Sequence, residues 1–197
     1  MTTPRLYYFS GSPFARAMRV LAFEWSLDVE QVELPFPPPD DLFRINPFGQ
    51  VPALETNGRH VFPTIPIGLE FWKMAGAPDH AYAADKDLQV LLAISQLGDA
   101  LVAASYQKWA GLETVSENRL GFDPAQRHLS RVGPAIAWID PHLRPGITLS
   151  GVLFACLMLW AEDRAGLDWR ALTSATPLVD DLAKRNSFAA TVPAPWE

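Results

Sequence analysis

Apolar residues recur along this chain in two different periods, and the change of period divides it. The N-terminal part is short-period and mixed. Leu6-Tyr7-Tyr8-Phe9 is an aromatic-rich run that predicts a strand. Ser10-Gly11 turns the chain, and Ser12-Pro13 reads as a helix cap followed by proline at the first helical position. Phe14, Met18, Leu21 and Trp25 then share one helical face. Val29 to Leu34 alternates as a second strand. Phe36-Pro37-Pro38-Pro39 is a stiff connector, and Asp40-Asp41 starts a short helix ending before Pro47. Ala53 to Glu55, the Asn57-Gly58 turn and Arg59 to Phe62 form a hairpin, after which Thr64 is expected to cap a helix through Trp72-Lys73-Met74. These elements make one compact α/β unit over residues 1–77.

Gly76-Ala77-Pro78 breaks the chain, and no convincing strand follows. Residues 83–197 read as an all-helical unit. Asp85 to Ala110 predicts a long helix with Leu88, Leu91, Leu92 and Ser95 on one stripe. Gln126 to His142 predicts another, kinked at Pro134. Val152 to Arg164 is apolar on almost every side, so it belongs at the buried centre of a bundle. Leu178 to Lys184 closes the set.

Composition narrows the function classes. With 49% hydrophobic and 19% charged residues, the 197-residue chain is globular and large enough for a sizeable core. A net charge of −6 argues against a nucleic-acid partner and against an anionic membrane surface. The first residues run straight into a strand without a leader pattern, and the longest strongly apolar run, Val152 to Ala161, is half of what spans a bilayer. The single cysteine, Cys156, excludes an intrachain disulfide and a Cys-x-x-Cys pair. His60, His80, His128 and His142 show no metal spacing, so no metal is expected. A cytoplasmic protein is the simplest reading.

One segment carries more chemistry than the rest. Asn46-Pro47-Phe48-Gly49-Gln50-Val51-Pro52-Ala53-Leu54 sets a turn directly before an apolar run broken by Pro52. Proline there deletes a ladder donor, which excludes a central strand at that point. With a cis Val51-Pro52 bond, the Val51 N–H and C=O both turn outward, free to hold an extended peptide.

That segment, with Ser12-Pro13-Phe14-x-Arg16-x-x-Arg19-Val20, Gly166-Leu167-Asp168-Trp169 and Ser187-Phe188-x-x-Thr191, resembles the cytosolic glutathione S-transferases of bacterial type with an active-site serine. The resemblance implies a thioredoxin-like α/β N-terminal domain, an all-α helical bundle domain and a homodimer. It implies glutathione as co-substrate, a small apolar electrophile as partner, and conjugation of the two.

The chemistry to be supplied is a thiolate at neutral pH. A free thiol with a pKa near 8.5 is ionised to only a few per cent at pH 7. A hydroxyl donor and a helix N-terminus both favour the anion. Ser12 stands where the family places its serine or cysteine, and as a serine it cannot form a mixed disulfide. Tyr8 is the rival, because other classes use a tyrosine at the end of the first strand. The resemblance implies that Val51 pairs its backbone with the cysteinyl part of glutathione, that Pro52 sets that geometry and that Gln50 meets the glycyl carboxylate. Phe14, Tyr106 and Trp109 are the candidate electrophile pocket.

Two departures stand out. Where the family has an acid followed by serine, this chain has Pro63-Thr64. Thr64 keeps the hydroxyl and the helix start keeps its anion affinity. Pro63 brings no charge, so one charge-assisted hydrogen bond to the ligand's ammonium is missing, worth about 1.5–3 kcal/mol. Asp99 is a substitute only across a dimer interface, and otherwise belongs to a solvated helix face. Pro66 removes a further helix N–H. At the second departure, Gly151 replaces a family aspartate, so Thr148 or Ser150 must cap the buried helix alone. These departures keep two alternatives beside conjugation: a non-catalytic binding or regulatory protein on the same scaffold, and a glutathione-dependent isomerase or lyase.

Overall fold

The computed structural model describes residues 2–110 and 122–193. The expected end of the helical unit at residue 197 lies outside the described residues. β1 (Arg5–Tyr8) is an inner strand. It pairs in parallel with β2 (Glu30–Glu33) and antiparallel with β3 (Ala53–Thr56), which pairs with β4 (Arg59–Val61). The sheet order is β2-β1-β3-β4. Leu6 lies opposite Leu54 and Leu54 opposite Val61, so one face is a continuous apolar row. α1 (Pro13–Glu24) and α2 (Thr64–Met74) cover it with Met18, Leu21, Ile67 and Phe71. The other face holds a smaller cluster of Tyr7, Ala53 and Leu42, the last from a 3-10 turn over Asp40–Arg44. Asn57 and Gly58 both take positive φ, as a two-residue hairpin turn requires.

The helical part contains α3 (Ala84–Trp109), α4 (Pro124–Leu129), α5 (Val132–Ile139), α6 (Leu149–Trp160), α7 (Thr176–Ala183) and α8 (Asn186–Ala189). α6 is the centre, buried on nearly every side as its sequence predicts. Each large apolar side chain fully buried there contributes on the order of 1.5–3 kcal/mol relative to exposure. Thr148 caps it alone: its Oγ1 accepts from the Gly151 N–H at 2.9 Å. The C-terminal end widens into a π-helical turn over Ala161–Ala165 and stops at Gly166, which has φ 67°. The Leu167 N–H then returns to the Ala161 carbonyl at 3.0 Å, which satisfies a terminal acceptor. α1 packs against α6 and α8, so the two units share one core containing the fully buried Trp169 and Phe188.

Three expectations need correction. The helix expected over Gln126 to His142 is two helices, parted at Ser130-Arg131, followed by a 3-10 turn over Asp140–His142. Pro134 has no N–H for the Ser130 carbonyl, and its ring crowds that oxygen, so the chain breaks there instead of kinking at the proline. The stripe on α3 is also displaced. Leu88 and Leu92 are exposed by 42% and 51%, whereas Val90, Leu91, Ile94, Leu97 and Leu101 are buried. Finally, Thr64 is the first residue of α2 and Pro63 holds the cap position, where it offers no side-chain acceptor. By length and composition the Lys86–Trp109 stretch of α3 is apolar enough to cross a membrane, but half of that window is buried inside the protein.

Candidate functional site

A cleft of about 410 Å³ opens between the C-terminal end of β1, the loop before β3 and the inner face of α3. Ser12 sits at its floor, only 5% exposed, with extended backbone as the N-cap of α1. Its Oγ accepts from the Ala15 N–H at 3.2 Å, and its own N–H donates to the Phe9 carbonyl at 3.2 Å. A hydroxyl that accepts in this way keeps its proton to donate elsewhere. Ser12 is therefore both a cap and a cleft residue.

The loop over residues 46–52 is built on Asn46, which is buried. Its Nδ2 donates to the Gln50 carbonyl at 2.7 Å, and its Oδ1 accepts from the Phe48 N–H at 3.1 Å. Gly49 has φ 60°, a backbone conformation that strains any side chain, and a Cβ there would also displace the Phe43 ring, 2.7 Å away. The Val51-Pro52 bond is cis. Among the described residues, the Val51 N–H and C=O have no internal hydrogen-bond partner. A backbone donor and acceptor are thus left unpaired on a cleft wall, where they can take up an extended ligand's amide.

Pro63 and Thr64 bring the N-terminus of α2 to the same cleft. Thr64 is buried while Pro63 is exposed. Helix-start N–H groups favour an anion, although Pro66 supplies none. The facing wall comes from α3, where Ser95, Asp99, Val102, Tyr106 and Trp109 line the cleft. Phe14 closes against this wall. A Cβ on Gly98 would lie 2.4 Å from its ring, so glycine is what lets α1 and α3 approach. Tyr106 packs edge-on to Trp109 with centroids 5.5 Å apart, and Trp109 packs in the same way on Trp160. Burial pushes the Asp99 carboxyl and the Tyr106 hydroxyl above their ordinary pKa ranges.

Residues 3–67 match the family model described as the glutathione S-transferase N-terminal domain. That match covers the N-terminal third of the chain, and the fold of the whole chain is the one seen in glutathione S-transferases. Among solved structures, a glutathione S-transferase from Methylobacterium radiotolerans in complex with glutathione sulfonate is 22% identical. The match covers 100% of this chain and 97% of that one, with a TM-score of 0.79. A glutathione S-transferase from Methylobacillus flagellatus with glutathione bound is 20% identical, covering 98% and 100%, at a TM-score of 0.79. A glutathione transferase family member from Pseudomonas fluorescens Pf-5 with bound glutathione gives 20%, 98%, 100% and 0.79 for the same quantities. At these identities the likeness is one of fold. No curated protein sequence matches the chain.

All the candidates drawn from the sequence except Tyr8 line this one cleft: Ser12, Phe14, Gln50, Val51, Pro52, Pro63, Thr64, Tyr106 and Trp109. Tyr8 does not. Its hydroxyl donates to Glu33 at 3.1 Å and the Arg19 guanidinium lies 4.2 Å from its ring centroid, so it is committed to the β1–β2 side. Asp99 is solvent-exposed, as expected of a helix face, and that face also lines this chain's own cleft. Sequence reasoning missed Asn46, whose signal was the Asn-Pro turn itself. It also missed Phe9 and Phe36, which pack at 5.3 Å on the rim, and Trp160, which was assigned only to the buried helix. No group of three or more His, Cys, Asp or Glu side chains gathers as a metal set among the described residues. Cys156 lies outside the cleft, fully buried, and burial pushes its thiol up to about 12.

Proposed function

We propose that this protein binds glutathione in the cleft and conjugates its thiolate to a small apolar electrophile. The reading is carried by one observation: the unpaired Val51 backbone and the Ser12 hydroxyl face the same cleft. Val51 would pair with the cysteinyl amide, directing sulfur toward Ser12 and the N-terminus of α1. Ser12 then donates its hydroxyl proton to the sulfur and, with the helix dipole, lowers the thiol pKa. Gln50 takes the glycyl carboxylate, and Thr64 with the start of α2 takes the γ-glutamyl carboxylate. Phe14, Tyr106 and Trp109 hold the electrophile. Orientation and thiolate activation supply the rate, with no covalent enzyme intermediate.

Pro63 favours a second reading, a binding protein on the same scaffold, because an acid is missing where the ligand's ammonium would lie. Asp99 is the only carboxylate among the described cleft residues, and it stands on the α3 wall. Calorimetric titration with glutathione separates the readings: heat and a thermal shift support the transferase, and neither at millimolar ligand supports the alternative. A substrate screen then divides conjugation from isomerase or lyase chemistry. We further propose a cytoplasmic homodimer with units at 1–77 and 83–197. Exposed Leu88 and Leu92, one turn apart on α3, support the dimer.

A further inference from the structure

The charges of the cleft all have one sign. Among its described lining residues there is no Lys, Arg or His, and Asp99 is the single carboxylate. Much of the remaining lining is aromatic, with Phe14, Phe36, Phe48, Tyr106, Trp109 and Trp160. Val102 and Tyr106 follow Asp99 along one face of α3, so the carboxylate and the Tyr106 ring stand on the same stripe of the wall. Gly98, the neighbour of Asp99, receives the Phe14 ring, which brings a second aromatic close to the carboxylate. Asp99 is exposed, and among the described residues no hydrogen bond or ion pair engages it. Desolvation by the wall raises its pKa, and no cation of the protein offsets this. An unpaired carboxylate beside aromatic faces attracts a cation, by opposite charge from one side and ring quadrupoles from the other. The chain's net charge of −6 acts in the same direction at longer range.

We propose that the electrophile taken by this cleft is cationic: an aromatic body bearing a quaternary or protonated amine, with the cation at Asp99 and the ring against Phe14 and Tyr106. Asp99 is then a specificity-determining residue. The inference rests on the glutathione reading of the cleft and narrows its electrophile. The ring-lined wall still selects an apolar body, and Asp99 adds the demand for positive charge. A cation held there also lies in the field of the glutathione thiolate, for which the described lining supplies no positive side chain. The transfer itself is unchanged: the thiolate's electron pair forms the C–S bond, the leaving group departs with its bonding pair, and the thiol proton passes to water.

The probes are two glutathione conjugates of matched shape, S-(4-trimethylammoniomethylbenzyl)glutathione and S-(4-neopentylbenzyl)glutathione, in which a charged nitrogen replaces a neutral carbon. Both, and glutathione itself, are titrated into the intact protein by calorimetry at pH 7. An ordinary apolar pocket prefers the neutral conjugate, because the cation must shed water. Here the cationic conjugate should bind at least about fivefold tighter. Asp99→Asn keeps the shape and removes the charge; it should erase that preference and leave glutathione affinity within about twofold. Asp99→Glu should retain the preference, and Tyr106→Leu should reduce it about threefold. Equal or tighter binding of the neutral conjugate by the parent protein overturns the proposal and leaves the glutathione reading standing. So does a preference that survives Asp99→Asn. If Asp99→Asn weakens glutathione and both conjugates alike, Asp99 holds the glutamyl ammonium and the proposal is overturned. Binding of none of the three ligands to the parent protein overturns the glutathione reading, and this proposal with it.

Discussion

The Glu24 carboxylate at the end of α1 receives two bonds from the Arg185 guanidinium, at 2.7 and 2.8 Å, and so ties the thioredoxin-like unit to the segment before α8. Ser187 Oγ donates to the same carboxylate. The Arg185 hydrogen bond, opposed by burial and aided by Ser187, holds the Glu24 pKa below its ordinary value. Arg185 is half exposed, so the bidentate pair contributes about 1–2 kcal/mol, discounted from a buried one. Glu24→Gln should therefore lower urea stability by about that amount at pH 7. A depressed carboxylate pKa contributes stability above the unfolded value, and this is lost as pH falls through the folded value. The difference between parent and variant should accordingly shrink below about pH 4. A gap that persists unchanged at pH 3 would contradict the ionic account.

Asp99 has the opposite sign. Burial raises its pKa, so the charged form is disfavoured in the fold. Its contribution is most favourable below the unfolded carboxylate pKa and is lost as pH rises through the folded value. Asp99→Asn should then raise the melting temperature at pH 7, with the gain disappearing below about pH 3.5. A lower melting temperature for the variant at pH 7 would mean that the carboxylate has a stabilising partner.

Ser12 has two roles that substitution can separate. Ser12→Ala removes the cap bond to Ala15 and should cost about 0.5–2 kcal/mol, whereas Ser12→Gly should cost only a few tenths. Both remove the hydroxyl. Under the proposed chemistry both should lower turnover of an aryl halide at pH 7 by about ten- to thirtyfold, the range set by a thiol that is a few per cent ionised. Unchanged turnover in Ser12→Gly would remove the hydroxyl from the mechanism.

Pro63→Asp restores an acid at the cap of α2, beside the expected ammonium of the ligand. Glutathione affinity measured by calorimetry should rise about tenfold or more, the equivalent of one charge-assisted hydrogen bond. No gain would place the ammonium elsewhere in the cleft.

Gly151→Ala tests the cap of the central helix. Alanine is the better helix former by about 0.8–1 kcal/mol. Yet a Cβ at Gly151 would lie 2.8 Å from Thr148 Oγ1, the atom that accepts the Gly151 N–H. The variant should be net less stable by thermal melting, because the cap must move. A stabilised variant would show that Thr148 shifts without loss.

Local chemistry made much of this protein legible. Asn57-Gly58 announced its hairpin because both residues tolerate positive φ, and Ser12-Pro13 announced α1 because a short polar cap before proline suits few other places. The all-round apolar character of α6 predicted its central position, since no face of it tolerates water. The site candidates from Ser12 to Trp109 were legible through resemblance and residue type, while their meeting in one cleft was not. Periodicity counts residues around a helix axis but not which neighbour lies beyond it. Leu88 and Leu92 were therefore expected inward and lie outward, while Asp99 is exposed as expected but on a face that lines the cleft. Tyr8 was a rival to Ser12 until the sheet set it against Glu33 and Arg19. The sequence by itself determined which backbone can turn, cap and pair, because those preferences belong to single residues and their neighbours. Only the tertiary structure decided which groups face one another across the cleft, and that Arg16 is buried against the Phe188 carbonyl, because those depend on how α1, α3, α6 and α8 pack.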